Sequence, residues 1–212
     1  MRIVLIAAKQ LEFAKTRLAM PAGERRTLAE AMFRDVLAAA MSARTPDRVA
    51  LVSSDQGLLA TARSAGAITI DEQFPRGLNA AVRIGTETLT AAGGASVCVV
   101  LSDIPLVTGG DIDAMFAAVP DGRGVALAPS RELSGTNMIV RTPPDAIATR
   151  FGRYSLIRHL ESCEQARIRC EIVRLSGPSL DLDLMSDLAD FVRIPSPTHT
   201  FNQLSRLGLA QA

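Results

Sequence analysis

The stretch Ser96-Val-Cys-Val-Val-Leu-Ser-Asp103-Ile-Pro-Leu106 decides the fold. Its first six residues, Ser96 to Leu101, are strongly β-branched and apolar without alternation, which describes a strand covered on both faces. Working outward, similar short apolar runs occur at Arg2–Ala8, Val49–Ser53, Ala67–Ile70, Gly124–Ala128, Met138–Val140 and Ile168–Leu175. Between them lie segments of helical character. Glu24–Ser42 carries Leu28, Ala31, Met32, Val36 and Leu37 at helical spacing. Asp55 caps a helix that runs through Ala65 and stops at Gly66. Leu78–Ala91, Gly110–Val119, Ser155–Ala166 (with Ser155 as its cap) and Met185–Val192 complete the series. Unbroken apolar strands separated by helices imply an α/β protein with a mainly parallel twisted sheet and helices on both faces. In such sheets ligands bind beyond the carboxyl ends of the strands, so chemistry is sought just after each one.

With 212 residues the chain suits one domain, taken as residues 1–194, followed by a tail at 195–212. The tail holds Pro195 and Pro197 and few apolar anchors, and reads either as mobile or as laid on the body. Hydrophobic residues at 48% and charged ones at 21% exclude a disordered or low-complexity chain. A net charge of +1, no basic run and 4% aromatics argue against a nucleic-acid protein. The expected partners are small molecules. Ile3–Ala8 is far shorter than the roughly 20 residues that span a bilayer, and no signal-type cleavage site follows, so a cytoplasmic location is expected. Cys98, Cys163 and Cys170 form no C-x-x-C pair, so neither a disulfide framework nor a zinc site is indicated. A homodimer is compatible with the sequence, although no exposed stripe demands one.

Of 23 basic residues only Lys9 and Lys15 are lysines, and both lie in the loop after the first strand. A chain that otherwise uses arginine keeps two compact ammonium groups together, which fits a site that needs point charges. With Arg17 they form a cation group suited to a polyphosphate, although alone the segment reads equally well as a solvated basic loop. It lacks the glycine spacing of a P-loop or a dinucleotide fingerprint. Asp103, placed at the end of the most hydrophobic strand, needs a partner or a metal ion and is a candidate Mg²⁺ ligand, or else a turn cap. Asp181 and Asp183 lie two apart, so in extended chain both carboxylates face one side, and with Asp103 they could bind one or two Mg²⁺ ions. The plainer alternative is an exposed edge strand. Ser130, Ser134, Gly135, Thr136 and Asn137 form a turn rich in hydroxyl and amide groups. Phe151-Gly-Arg-Tyr-Ser155 leads into a helix whose N-terminus suits an anion. His159, one turn inside that helix, reads as a packing residue.

Taken in order, Lys9, Lys15-Thr-Arg-Leu18, Gly77-Leu-Asn79, Asp103-Ile-Pro-Leu106, Ala128-Pro-Ser130, Gly135-Thr-Asn137, Phe151-Gly-x-x-Ser155 with His159, and Asp181-x-Asp183 resemble the 2-phospho-L-lactate guanylyltransferase family. That family acts in biosynthesis of the deazaflavin coenzyme F-420. The resemblance runs from the first strand to about Asp190. It departs at Ala8, where a proline is common, and at Ser134-Gly135, where a longer glycine run is usual. It implies a Rossmann-like nucleotide-diphospho-sugar transferase fold related to the molybdenum-cofactor guanylyltransferases. It also implies that Asp103, Asp181 and Asp183 hold Mg²⁺ and that Lys9, Lys15 and Arg17 grip the GTP phosphates. Gly77 and Asn79 would help seat the nucleoside, and Thr136, Gly152 and Ser155 would bind a phosphorylated acid. Lys15, Arg17 and Asp103 would be the catalytic group.

The inventory agrees with that chemistry. A phosphomonoester with a second pKa near ~6 is already an anionic nucleophile at neutral pH, so two histidines are no handicap. What the reaction requires is in-line placement and neutralisation of the pyrophosphate leaving group. The expected reaction joins GMP from GTP to 3-phospho-D-glycerate, phosphoenolpyruvate or 2-phospho-L-lactate, and the arginine- and alanine-rich composition favours the first two. The alternatives are a molybdenum-cofactor guanylyltransferase, which normally brings a glycine-rich first loop, a sugar-phosphate nucleotidyltransferase, or a non-catalytic nucleotide-binding paralogue.

Overall fold

Ile3, Val4, Leu5 and Ile6 have no exposed surface, because the strand that carries them is apolar on both faces and sits mid-sheet. In the computed structural model, which describes residues 1–119 and 122–210, this is β1 (Arg2–Ala7). It pairs in parallel with β2 (Arg48–Ser53) on one side and with β4 (Ser96–Leu101) on the other. β3 (Ile68–Asp71) extends the β2 side in parallel. Beyond β4 lie β6 (Thr136–Thr142), β5 (Gly124–Pro129) and β7 (Cys170–Ile172), giving the order β3-β2-β1-β4-β6-β5-β7. β6 runs antiparallel to both neighbours, and β7 is parallel to β5. The sheet is therefore mainly parallel with one reversed strand. The order of strand addition reverses between the parallel strands β1 and β4, since β2 and β3 extend one side and β4 starts the other, and this opens a crevice at their carboxyl ends.

Seven helices cover the sheet among the described residues: α1 (Ala22–Ser42), α2 (Gln56–Ser64), α3 (Leu78–Ala91), α4 (Gly109–Ala117), α5 (Ser155–Ala166), α6 (Met185–Phe191) and α7 (His199–Arg206). Strand residues alternate between two cores. Val4, Ile6, Cys98 and Val100 pack with Leu28, Met32, Leu58, Met115, Phe191 and Leu204 from α1, α2, α4, α6 and α7. Ile3, Leu5, Val97 and Val99 pack with Val82 and Leu89 of α3 and Leu156 and Cys163 of α5. Gly85 lets α3 approach β1, since a Cβ there would lie 2.8 Å from Leu5 Cδ2.

Three local expectations are corrected. The last strand covers Cys170–Ile172 instead of Ile168–Leu175, because the chain leaves the sheet edge after pairing with β5. Ser155 does not cap α5. Tyr154, in the left-handed region at φ 58°, holds the cap position, while Ser155 Oγ accepts the backbone N–H of Thr136 at 2.8 Å. The plainer alternative for Asp181 and Asp183, an edge strand, also fails: both lie in irregular chain before α6 and line the crevice.

The segment after Pro195 is laid on the body through α7, which packs on α1. Asp35, a buried acid on α1, accepts the backbone N–H groups of His199 and Thr200 at 2.7 and 2.9 Å and the Thr200 hydroxyl at 2.6 Å. The two N–H groups are orphan donors of the first turn of α7, satisfied from another helix. Asp35→Ala should cost about 3 kcal/mol, since charged hydrogen bonds are lost and buried donors stranded. Urea unfolding measures the cost, and limited proteolysis should cut first after residue 195.

Candidate active site

The crevice at the β1/β4 switch point is a cleft of about 900 Å³. The loops after β1, β4 and β5, the α5 N-terminus and the segment before α6 supply its walls. Its centre is Lys15. In the loop after β1 its backbone adopts φ 55°, and its ammonium is brought over the end of β4. There Nζ donates to Asp103 Oδ2 at 2.8 Å and to Asp183 Oδ1 at 2.7 Å, with the side chain 7% exposed. Burial alone would lower the lysine pKa, but Asp103 and Asp183 reverse that and hold it above its ordinary value. Burial likewise pushes Asp183 up, and Lys15, Arg17 and Lys9 together bring it below the ordinary carboxylate value.

Several contacts fix this arrangement. Asp55, the N-cap of α2, uses Oδ1 on Gly57 and Leu58 N–H and Oδ2 on Leu11 N–H, so the cap also anchors the Lys15 loop. Leu182 N–H donates to the Asp103 carbonyl at 3.1 Å, which joins the two acidic segments directly. Asp187 on α6 accepts the N–H groups of Asp183 and Leu184. Gly177 lies against the Leu106 carbonyl, where a Cβ would overlap it.

The structure thus brings Lys15, Asp103, Asp181 and Asp183 together. Asn137 Nδ2 donates to Asp181 Oδ1 at 3.1 Å and to the Pro178 carbonyl at 2.9 Å. Burial and the nearby Asp103 hold the Asp181 carboxyl above its ordinary pKa, with Asn137 opposing. Arg17 is 75% exposed, with Nη1 3.8 Å from Asp183 Oδ2, and Lys9 is exposed on the same wall, so both are open to a ligand. Gly77 begins α3 at φ 90° and lines an adjoining apolar pocket of about 100 Å³ that shares Ala7, Ala8, Lys9, Phe13 and Leu78 with the cleft. Asn79 is occupied: its Oδ1 accepts Phe151 N–H at 2.8 Å and its Nδ2 donates to the Phe151 carbonyl at 3.0 Å, clamping the loop before α5. Thr136, Gly152 and Ser155 all line the cleft.

Asn137, named in the hydroxyl- and amide-rich segment at Ser130–Asn137, orients Asp181 from the start of β6. Arg131 and Arg153 add exposed cations to the rim, Arg131 paired with Asp190 at 2.7 Å and Arg153 stacked over Tyr154 at 4.7 Å from its centroid. A lone arginine in an arginine-rich chain gives no signal in the sequence.

His159 is fully buried on α5, with burial first and then Arg141 and Arg150 lowering its pKa from 6.5 to about 4. Between those values the unfolded chain binds more protons than the folded one. Stability is therefore expected to fall as pH drops from about 6.5 to about 4, by as much as about 3 kcal/mol. Thermal melts across that range check it, and His159→Gln should flatten the slope.

The carboxylates fit a hard cation in one respect. Asp103 Oδ1 is buried with no hydrogen-bond partner, and the side chains that would bind a cation there, Asp103, Asp181 and Asp183, all offer carboxylate oxygens. Among the described residues no group of three acidic, histidine or cysteine side chains is gathered as a metal cluster. Mg²⁺ commonly takes one or two carboxylates and completes its shell with phosphate oxygens and water, so the set suits a site finished by a triphosphate.

The mainly parallel α/β sheet with this strand order is that of the nucleotide-diphospho-sugar transferase fold, with a cation- and carboxylate-lined cleft at its switch point. A solved structure from Desulfovibrio desulfuricans G20, named for the nucleotide-diphospho-sugar transferases, matches with TM-score 0.77 at 17% identity, over 100% of this chain and 99% of that one. A nucleotidyl transferase from Methanothermobacter thermautotrophicus matches with TM-score 0.64 at 17% identity, over 90% and 95%. The family model described as guanylyl transferase CofC like matches residues 1–211, and the chain belongs to that family. A phosphoenolpyruvate guanylyltransferase of Sphaerobacter thermophilus is 38% identical over 89% of this chain and 91% of its own length. A 2-phospho-L-lactate guanylyltransferase of Methanothermobacter thermautotrophicus is 30% identical over 96% and 89%, and a 3-phospho-D-glycerate guanylyltransferase of Phenylobacterium zucineum 32% over 92% and 91%.

Proposed function

We propose that this protein transfers GMP from GTP to a phosphorylated three-carbon acid, phosphoenolpyruvate or 3-phospho-D-glycerate before 2-phospho-L-lactate, with release of pyrophosphate, as a step toward coenzyme F-420. The observation that carries the reading is the Lys15 ammonium held between Asp103 and Asp183 at the switch point, with Lys9 and Arg17 exposed beside it. A phosphate oxygen of the acid, dianionic near neutral pH, attacks the α-phosphorus; the new P–O bond forms as the bond to the β-phosphate oxygen breaks. No general base is required, which accords with a cleft whose nearest histidine is buried and neutral.

Lys15, Arg17 and Lys9 neutralise the triphosphate and the departing pyrophosphate. Asp103, Asp181 and Asp183 would hold Mg²⁺, which when bound supplies further charge stabilisation on the phosphate oxygens. Thr136, Gly152 and Ser155, with Arg153 on the rim, lie where the acid would be held, and Gly77 edges an apolar pocket of suitable character for a nucleobase. Asn79 supports the acid side by clamping Phe151. The reading includes a cytoplasmic enzyme, monomeric or homodimeric, working on small molecules.

The test is pyrophosphate release by purified protein with Mg²⁺ and GTP, each acid supplied separately, and repeated with ATP and CTP. Release with GTP and one acid is the expected result. Silence with all three acids, from folded protein that binds GTP, would overturn it in favour of a molybdopterin substrate or a non-catalytic role.

A further inference from the structure

The least solvent-accessible polar ring in the molecule connects the two ends of the acid side of the cleft. His159 is 0% exposed, yet both its nitrogens are engaged. Nε2 lies 2.8 Å from the backbone nitrogen of Arg150, and Nδ1 lies 3.0 Å from Thr136 Oγ1. A peptide N–H can only donate, so Nε2 must present a lone pair. The ring is kept neutral by burial and by the positive Arg141 and Arg150, so its single hydrogen resides on Nδ1 and is given to Thr136 Oγ1. The Thr136 hydroxyl hydrogen therefore cannot go to the histidine. Nearby, Ser155 Oγ accepts Thr136 N–H at 2.8 Å, which leaves its hydrogen free as well. Among the described residues no acceptor takes either hydrogen, and both residues line the cleft.

We infer that His159 is a positioning residue that locks one tautomer so that the hydroxyl of Thr136 acts as a donor toward the anionic acid, beside the Ser155 hydroxyl, whose oxygen is already taken by Thr136 N–H. The same ring holds the Arg150 backbone next to Phe151, which Asn79 clamps at both its N–H and carbonyl and whose ring meets His159 edge-on at 5.3 Å. The entry to α5 is thus fixed from β6 and from α3 at once. A histidine that merely filled space would need no particular hydrogen on Nδ1. The inference rests on the acid-binding reading of Thr136 and Ser155 given above.

The test has two independent parts. Long-range ¹⁵N–¹H correlation on wild-type protein reads the tautomer directly and should show a neutral ring protonated at Nδ1. Kinetics then separate the two contacts, because asparagine places an amide near Nδ1 and glutamine places one near Nε2. His159→Gln and His159→Leu should raise KM for the acid about tenfold or more, the scale of one lost hydrogen bond to a charged group, with KM for GTP little changed. His159→Asn should recover most of that loss, and Thr136→Val should reproduce it. Protonation at Nε2, or equal changes in both KM values, would overturn the inference. So would an unchanged acid KM in Thr136→Val, even with the Nδ1 tautomer present and guanylyl transfer intact. Should wild type transfer nothing, the functional reading falls, while the tautomer and calorimetric binding of 3-phospho-D-glycerate to wild type and Thr136→Val still decide this one.

Discussion

On the proposed reading, Asp103→Asn is expected to lower GTP-dependent pyrophosphate release by about a thousandfold or more while the protein remains folded, the scale of removing a charged group that acts on the transition state. The substitution preserves shape. It leaves the Asp103 carbonyl available to Leu182 N–H, and leaves Lys15 its second partner, Asp183. What is lost is negative charge on two oxygens with different situations. Oδ2 is engaged by the ammonium, whereas Oδ1 is buried and unpartnered, which is costly unless something else meets it in the working enzyme. If Asp103 were simply the structural mate of Lys15, the asparagine variant would melt lower and turn over normally. The opposite pattern, near-normal melting with collapsed turnover and little change in GTP binding, is the expected result. Thermal melting, calorimetry with GTP and a pyrophosphate assay on one preparation separate the two.

The fold was legible in the sequence where local pattern and tertiary role coincide. β1 and β4 are apolar on every side because both faces are covered, so their runs could be read without any partner being known. Strand direction was not legible in the same way: Met138–Val140 looks like any buried strand, and only its pairing shows β6 to be reversed. The tail was read by its prolines and its few apolar residues. A better signal lay far away in Asp35, an acid on the core-facing side of α1 whose three hydrogen bonds all go to α7. Ser155 misled as a cap because its oxygen is taken by Thr136, a contact between β6 and α5 that no local window contains.

The candidate site follows the same division. The lysine pair and the three aspartates stood out by residue type and position, because strands that end at a switch point concentrate function there. Their mutual arrangement was not legible. Lys15 and Asp183 are 168 positions apart, and nothing near either shows that they touch. Asn79 shows a further limit, since its amide is consumed on the Phe151 backbone, so its part in nucleotide binding cannot be read from its motif alone.

Lys15→Met gives the other large effect, and it divides three quantities that usually move together. The ammonium is shared by Asp103 and Asp183, with Asp181 close enough to Asp103 for their charges to interact. Removing it leaves uncompensated acids, and stability at neutral pH should fall by about 2 kcal/mol, discounted for the partial exposure of Asp183. The sign with pH follows from the shifts. Asp183 is held below its ordinary pKa in the native protein, so its contribution is present above the unfolded value and is lost as pH falls through the folded one. Without Lys15 that contribution is absent, and the gap between variant and wild type should close on acidification. Turnover should fall by roughly a hundredfold to a thousandfold, the scale of losing one preorganised cation where the proposed reading places the triphosphate. Yet a divalent probe such as Mn²⁺ should bind the variant about tenfold more tightly than wild type when no nucleotide is present, because Lys15 no longer competes for the same oxygens. Weaker catalysis with stronger metal binding is the expected signature of an ammonium that guards the carboxylates until a triphosphate draws it away. If Lys15→Met bound Mn²⁺ no better than wild type, the shared-oxygen account of this site would be wrong.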